Sequence, residues 1–210
     1  MKTLVKASLL TLLLSAGFAQ ASTELISNGG FETNNLSNFS KGYAYAGQVT
    51  ADAWTFTGGA GVSLNNTDWG ATSAAPSTAF AFLQNTASIS QTFSTTAASN
   101  FTIGFDLAQR TSFGTTGQVV GVTLDGKPLS NVFVSSANGW SPESFSALNI
   151  GAGSHTLTFT GLNPKNETDT TGFIDNVSVL AVPEPETYAM LLGGLGLLGF
   201  VSRRKASKNA

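Results

Sequence analysis

The sequence predicts an all-β sandwich or barrel, on three observations. Apolar and polar residues alternate with period two in several separate segments. Gly, Asn, Asp and Ser punctuate the chain between those segments, and glycine alone supplies 23 of the 210 residues. Between Ser22 and Ala181 no stretch sustains a helical period. With charged residues at 10%, the chain also lacks the Glu, Lys and Arg that solvate helix surfaces.

The strand candidates follow in chain order. Trp54–Phe56, Ala79–Leu83 and Ile89–Phe93 are short apolar runs, and Trp54 is expected in the core. Phe101, Ile103, Phe105 and Leu107 alternate with Thr102, Gly104, Asp106 and Ala108, the pattern of a strand with one buried face. Val120, Val122 and Leu124 alternate again and run into Asp125-Gly126, a tight-turn signal. Phe145–Ile150 and Ser154–Thr160 complete the series, the latter directing Leu157 and Phe159 inward.

Composition narrows the chemistry. The absence of cysteine excludes disulfides, thiolate metal sites and a cysteine nucleophile. One histidine, His155, at the start of a strand, reads as structural. From Ser22 to Val182 there are four basic side chains (Lys41, Arg110, Lys127, Lys165) and ten acidic ones, a net of −6. Such a domain is expected not to bind nucleic acid, which requires a basic surface. No catalytic constellation is legible, because sequence cannot set any two of the ten acids across a cleft. The expectation is a protein that is not an enzyme.

The two ends read as addresses. Lys2 and Lys6 precede the apolar run Leu9–Leu14, and Ala19 and Ala21 place small residues where a signal peptidase cuts. At the other end stand Pro183, Glu184 and Pro185, then fourteen residues from Tyr188 to Val201, then Arg203, Arg204 and Lys205. As a helix those fourteen residues span about 21 Å, short of a hydrocarbon core of about 30 Å. A basic cluster after an apolar run stays cytoplasmic, so the tail suits temporary residence in the inner membrane. The ending closely resembles the PEP-CTERM sorting signal. That resemblance implies a Gram-negative bacterium, an exosortase as partner, removal of the tail near Pro183–Glu186, and an association with exopolysaccharide. The expected organisation is a signal peptide (1–21), a β-sandwich ectodomain (22–181), a sorting signal with a short hydrophobic helix (182–205) and a tail (206–210). The mature protein is then secreted or held at the cell surface.

Two segments refine the fold. Leu25-Ile26-Ser27-Asn28-Gly29-Gly30-Phe31-Glu32 opens the ectodomain and Phe173-Ile174-Asp175-Asn176-Val177-Ser178-Val179 closes it. They resemble the first and last strands of galactose-binding-domain-like jelly rolls, a group rich in carbohydrate-binding modules. Period two sets Asp175 on a face with Phe173, Val177 and Val179, where an ionised carboxylate costs several kcal/mol unless paired or metal-bound. In those jelly rolls the terminal strands often flank structural calcium. Glu32 and Asp175 are the positions that match, with backbone capping by Asp175 as the alternative.

Sugar rings stack on exposed aromatic rings. Trp69 and Trp140 fall in polar, turn-rich loops, and Tyr43 and Tyr45 share one face of a Gly-bounded segment. Arg110 is a candidate clamp for a hydroxyl pair or an acidic sugar, unless it pairs with Asp106 or another local carboxylate. The expected role is non-catalytic binding of exopolysaccharide or another extracellular glycan. The alternative is a structural matrix protein with no sugar site.

Overall fold

The computed structural model describes residues 22–71, 74, 76–110, 118–133, 139–182 and 192–199. Among these residues, eleven strands form two antiparallel sheets. One has the order β1 (Tyr43–Tyr45), β3 (Ala60–Leu64), β4 (Ala79–Gln84), β11 (Thr171–Val182), β6 (Ser99–Gln109) and β9 (Ser141–Ile150). The other has the order β2 (Thr55–Thr57), β5 (Ser88–Thr95), β10 (Gly153–Gly161), β7 (Val119–Leu124) and β8 (Lys127–Phe133). The fold is the expected β-sandwich. A separate short helix, 192–199, carries exposed leucines at 192, 195, 197 and 198. No helix among the described residues is long and apolar enough to cross a membrane.

Strand alternation builds the interior. Phe101, Ile103, Phe105 and Leu107 of β6 face Ile89, Phe93, Val120, Val122, Leu124, Leu157 and Phe159 of the opposite sheet. Trp54 is buried as expected, its indole N–H donating to the Asn28 carbonyl at 2.9 Å. Asp125 and Gly126 both adopt positive φ, the two-residue turn that joins β7 to β8. Sequence reading missed β3 and β8.

The segment resembling a first strand is not one. Asn28 and Phe31 take left-handed φ values of 53° and 58°, which interrupt an extended run. Its backbone still pairs with the last strand, through Leu25 N–H to the Val179 carbonyl and Val177 N–H to the Gly29 carbonyl, both at 3.0 Å. A Cβ on Gly29 would lie 1.9 Å from the Val177 carbonyl oxygen, so this approach requires glycine.

Strand β11 contains a second departure. Its pairing with β6 slips by one residue between Asp175 and Ser178, with Asn176 at φ 49°. Beyond this bulge the parity of the side chains reverses. Ile174, Val177 and Val179 therefore face the interior, whereas Phe173 lies in a second cluster on the opposite face. Asp175 pairs with Asp106, on that same outer face. The expectation that Asp175 shares a face with Val177 and Val179 is thus corrected.

His155 is structural in this fold. Its ring nitrogens bond Asp125 Oδ2 at 2.8 Å and the Gly151 carbonyl at 2.9 Å, while the Thr156 N–H donates to Asp125 Oδ1. The hydrogen bond to Asp125 raises the His155 pKa above 6.5 against the opposing effect of burial. At Asp125 burial acts upward, but the bonds from His155 and Thr156 outweigh it and hold the carboxyl below 3.8. The histidine contribution is complete below pH 6.5 and fades as pH rises through its folded value. The aspartate contribution is complete above pH 3.8 and fades in stronger acid. Thermal melts of Asp125→Asn should therefore show the largest deficit against wild type near pH 5–6, shrinking by pH 9. A deficit independent of pH would remove the ion pair from the account.

Candidate functional site

The six-stranded sheet has a second apolar layer on its outer face. In β4 the sequence Ala79-Phe80-Ala81-Phe82-Leu83 sends Ala79, Ala81 and Leu83 into the sandwich and Phe80 and Phe82 outward, and all five are fully buried. The register aligns Tyr45 with Gly61, Gly61 with Phe82, Phe82 with Phe173 and Phe173 with Ala108, one row across five strands. Gly61 is bare because the ring of Phe82 lies over it. A Cβ there would stand 2.4 Å from that ring and 2.1 Å from the Ala44 carbonyl oxygen.

The loop between β3 and β4 closes over this row. Its Trp69 stacks on Phe82 with ring centroids 4.2 Å apart, and the Arg110 guanidinium lies 4.6 Å from the indole centroid. Tyr43, Tyr45 and Phe173 approach the indole at 6.0–6.2 Å, and Phe80 links Phe173 to Trp140.

The candidate sugar-binding residues Trp69, Trp140, Tyr43, Tyr45 and Arg110 therefore converge on one face, though they come from distant parts of the chain. Their exposure differs from expectation. Trp69 is 3% exposed, so the reading of an indole open to solvent is corrected: its loop folds back onto the sheet. Tyr43, Tyr45 and Trp140 are half-buried rings around the closed floor. Beside Tyr43 and Tyr45 opens a shallow pocket of about 360 Å³, lined also by Phe39, Ser40, Lys41 and Gln48. Arg110 pairs with Asp169 at 3.1 Å rather than with Asp106, and Gln84 donates to the same carboxylate. The sequence offered no pairing for Asp169. The floor was legible in the Ala/Phe alternation of β4, a strand apolar on both faces.

Glu32 and Asp175 hold the other end of the covering loop. Glu32 accepts from the Thr78 and Ala79 N–H groups at 2.6 and 2.8 Å and from the Thr78 hydroxyl at 2.5 Å. Asp175, with no solvent exposure, accepts from Ala74 N–H at 2.9 Å and Asn176 N–H at 2.7 Å. Burial pushes the Asp175 carboxyl up to about 7 against those bonds, and the charge of Glu32 adds to the rise. Burial acts upward on Glu32 too, but the bonds from Thr78 and Ala79 bring its carboxyl below the usual value. Bare Gly30 lies between the pair, where a Cβ would stand 3.7 Å from Asp175 Oδ1 and 3.8 Å from Glu32 Cγ. Carboxylates are the donor type calcium takes, but all four oxygens of this pair already accept hydrogen bonds, mostly from backbone N–H groups. Among the described residues no third acid or histidine joins them, so further ligands would be backbone carbonyls.

The two-sheet sandwich is a fold that several solved structures share. The structure resembles TmCBM61 in complex with β-1,4-galactotriose at 16% identity and TM-score 0.54, covering 77% of this chain and all of that one. It also resembles the CBM22-1–CBM22-2 tandem of Paenibacillus barcinonensis Xyn10C (16% identity, TM-score 0.51, 81% of this chain and 49% of that one). A third likeness is to the arabinose-bound α-L-arabinofuranosidase MgGH51 (11%, 0.50, 75% and 26%). At these identities the likeness is one of fold. The chain belongs to the DUF642 family, described as a protein of unknown function, which matches residues 24–180. Residues 181–205 match the PEP-CTERM protein-sorting motif, which marks the protein for export and surface sorting. No curated protein matches the chain. Ala19, Ala21, Pro183, Glu184, Pro185, Arg203 and Arg204 lie outside the described residues.

Because Trp69 is enclosed, Trp69→Ala should cost about 3–5 kcal/mol of stability in denaturant titration, as truncation of a packed aromatic does. A loss below about 1 kcal/mol would show that the loop does not depend on it.

Proposed function

We propose that this protein is a non-catalytic polysaccharide-binding component of the extracellular matrix. It is exported across the inner membrane of a Gram-negative bacterium, held there transiently by its C-terminal segment and released by an exosortase. The carrying observation is the convergence of Tyr43, Tyr45 and Trp140, each half-buried, around an aromatic floor on one face, beside an open pocket. Rigid, partly exposed rings present an apolar face to a pyranose at little entropic cost. The likeness to a module seen with a galactose oligosaccharide supports the reading. A structural matrix role without a sugar site has one observation in its favour: Trp69, Phe80, Phe82 and Phe173 are buried as a second core would be.

Affinity electrophoresis through the producing cells' own exopolysaccharide separates the two. Tyr43→Ala, Tyr45→Ala and Trp140→Ala should each weaken retardation severalfold while leaving the fold intact. Wild-type protein that passes this polysaccharide and a glycan array unretarded would favour the structural role.

Calcium at Glu32 and Asp175 belongs to the same proposal, as a structural ion that balances a buried carboxylate. The melting temperature should rise with calcium, by about 2.7 kcal/mol of added stability at a hundredfold excess over the dissociation constant. Asp175→Asn should abolish that response. Identical melts in chelator and in millimolar calcium would leave the backbone-capping role alone.

A further inference from the structure

The pocket beside β1 differs in charge from the domain around it. Two turns wall it. One is closed by Gly42 N–H to the Phe39 carbonyl at 2.9 Å and presents Ser40 and Lys41. The other is closed by Gln48 and Val49 N–H to the Tyr45 carbonyl at 3.0 and 2.9 Å and presents Gln48. Between them Tyr43 and Tyr45 stand edge to face with centroids 6.2 Å apart. Lys41 Nζ lies 5.9 Å from the Tyr43 centroid.

Arg110 and Lys41 are two of the four cations between Ser22 and Val182, and both border this aromatic face. Arg110 is neutralised by Asp169. Lys41 is exposed, and among the described residues no carboxylate pairs with it. The ionisation of Tyr45 reflects the same balance. Burial, then Tyr43 and Asp169, push its pKa up, while Arg110 and Lys41 pull it down. Among the described residues that line the pocket, Lys41 is the one that carries a charge.

We propose that this pocket takes a sugar unit carrying a carboxylate, so that the polysaccharide bound is acidic, with Lys41 as counter-charge and the tyrosine rings as the apolar platform. The inference rests on the polysaccharide-binding reading and names its ligand class. An ammonium on a flexible stem can follow a carboxylate at varied ring positions as a point charge. The Ser40 hydroxyl and the Gln48 amide can both donate and accept beside it, as sugar hydroxyls require.

The test uses purified protein and three soluble probes: alginate, the same alginate with its carboxylates reduced to primary alcohols, and β-1,4-galactan. Alginate should bind, more weakly as sodium chloride is raised, and its reduced form should not. Lys41→Gln should weaken alginate binding roughly three- to fivefold, the scale of one exposed charge interaction, and Lys41→Arg should retain it. Both variants alter an exposed side chain and should melt with the wild type. Equal binding of alginate and its reduced form, or an alginate affinity indifferent to Lys41→Gln, would overturn the acidic-ligand inference and leave polysaccharide binding standing. If no probe binds, galactan included, and the cells' own exopolysaccharide is also not retained, both readings fall together.

Discussion

The outer layer of this domain depends on one buried carboxylate. Asp175 has no solvent exposure, sits beside the bulge in β11, and receives the N–H groups of Asn176 within its strand and Ala74 in the β3–β4 connection. Without the extra residue at the bulge, the residues after Asp175 would direct their apolar side chains away from the sandwich. With it, Val177 and Val179 return to the interior while Asp175 stays outside, able to catch the loop. Glu32 repeats the device a few residues along that loop, at Thr78 and Ala79. The two acids act at the backbone of a segment that carries Trp69, and Trp69 in turn closes the floor on which Tyr43 and Tyr45 lean. Tyr43 and Tyr45 of β1 are thus positioned by a carboxylate on a strand three places away in the sheet.

The two outer faces of the sandwich contrast sharply. Across the five-stranded sheet, Thr55, Ser90, Thr158 and Thr123 align in one row, and Thr57, Ser88 and Thr160 in another. These short hydroxyl side chains are well solvated and offer a partner little beyond what water already supplies. The six-stranded sheet offers rings, an open pocket and two cations. Binding energy follows desolvated aromatic surface more than hydroxyl number, which is why the proposed polysaccharide site is put on the aromatic face.

Much of the fold was legible because its cause is local. The β6 alternation, the Asp-Gly turn after Leu124 and the apolar runs of β4, β5 and β10 record their structure in neighbouring residues. The bulge at Asn176 was not legible, since a one-residue slip against β6 is a property of two strands 70 residues apart. The site divides in the same way. Residue type and loop context singled out Tyr43, Tyr45, Trp69, Trp140 and Arg110 as candidates. Exposure did not follow from loop context, because whether the Trp69 loop lies open or folds down depends on Asp175, about a hundred residues later. Asp169 went unrecognised as the partner of Arg110 for a similar reason: nothing near either residue marks the other.

The placement of β11 has a mechanical meaning. This twelve-residue strand is central in its sheet, bonded to β4 at its start, to β6 along most of its length and to the opening segment at Leu25 and Gly29. It is also the strand that leads into the sorting segment. A pull applied through the C-terminal side therefore acts along the strand axis and loads its flanking hydrogen bonds together, in shear, rather than peeling them apart one by one. Shear-loaded ladders yield at higher force than peeled ones. A force on the C-terminal end is thereby borne by a strand held on both sides within its sheet.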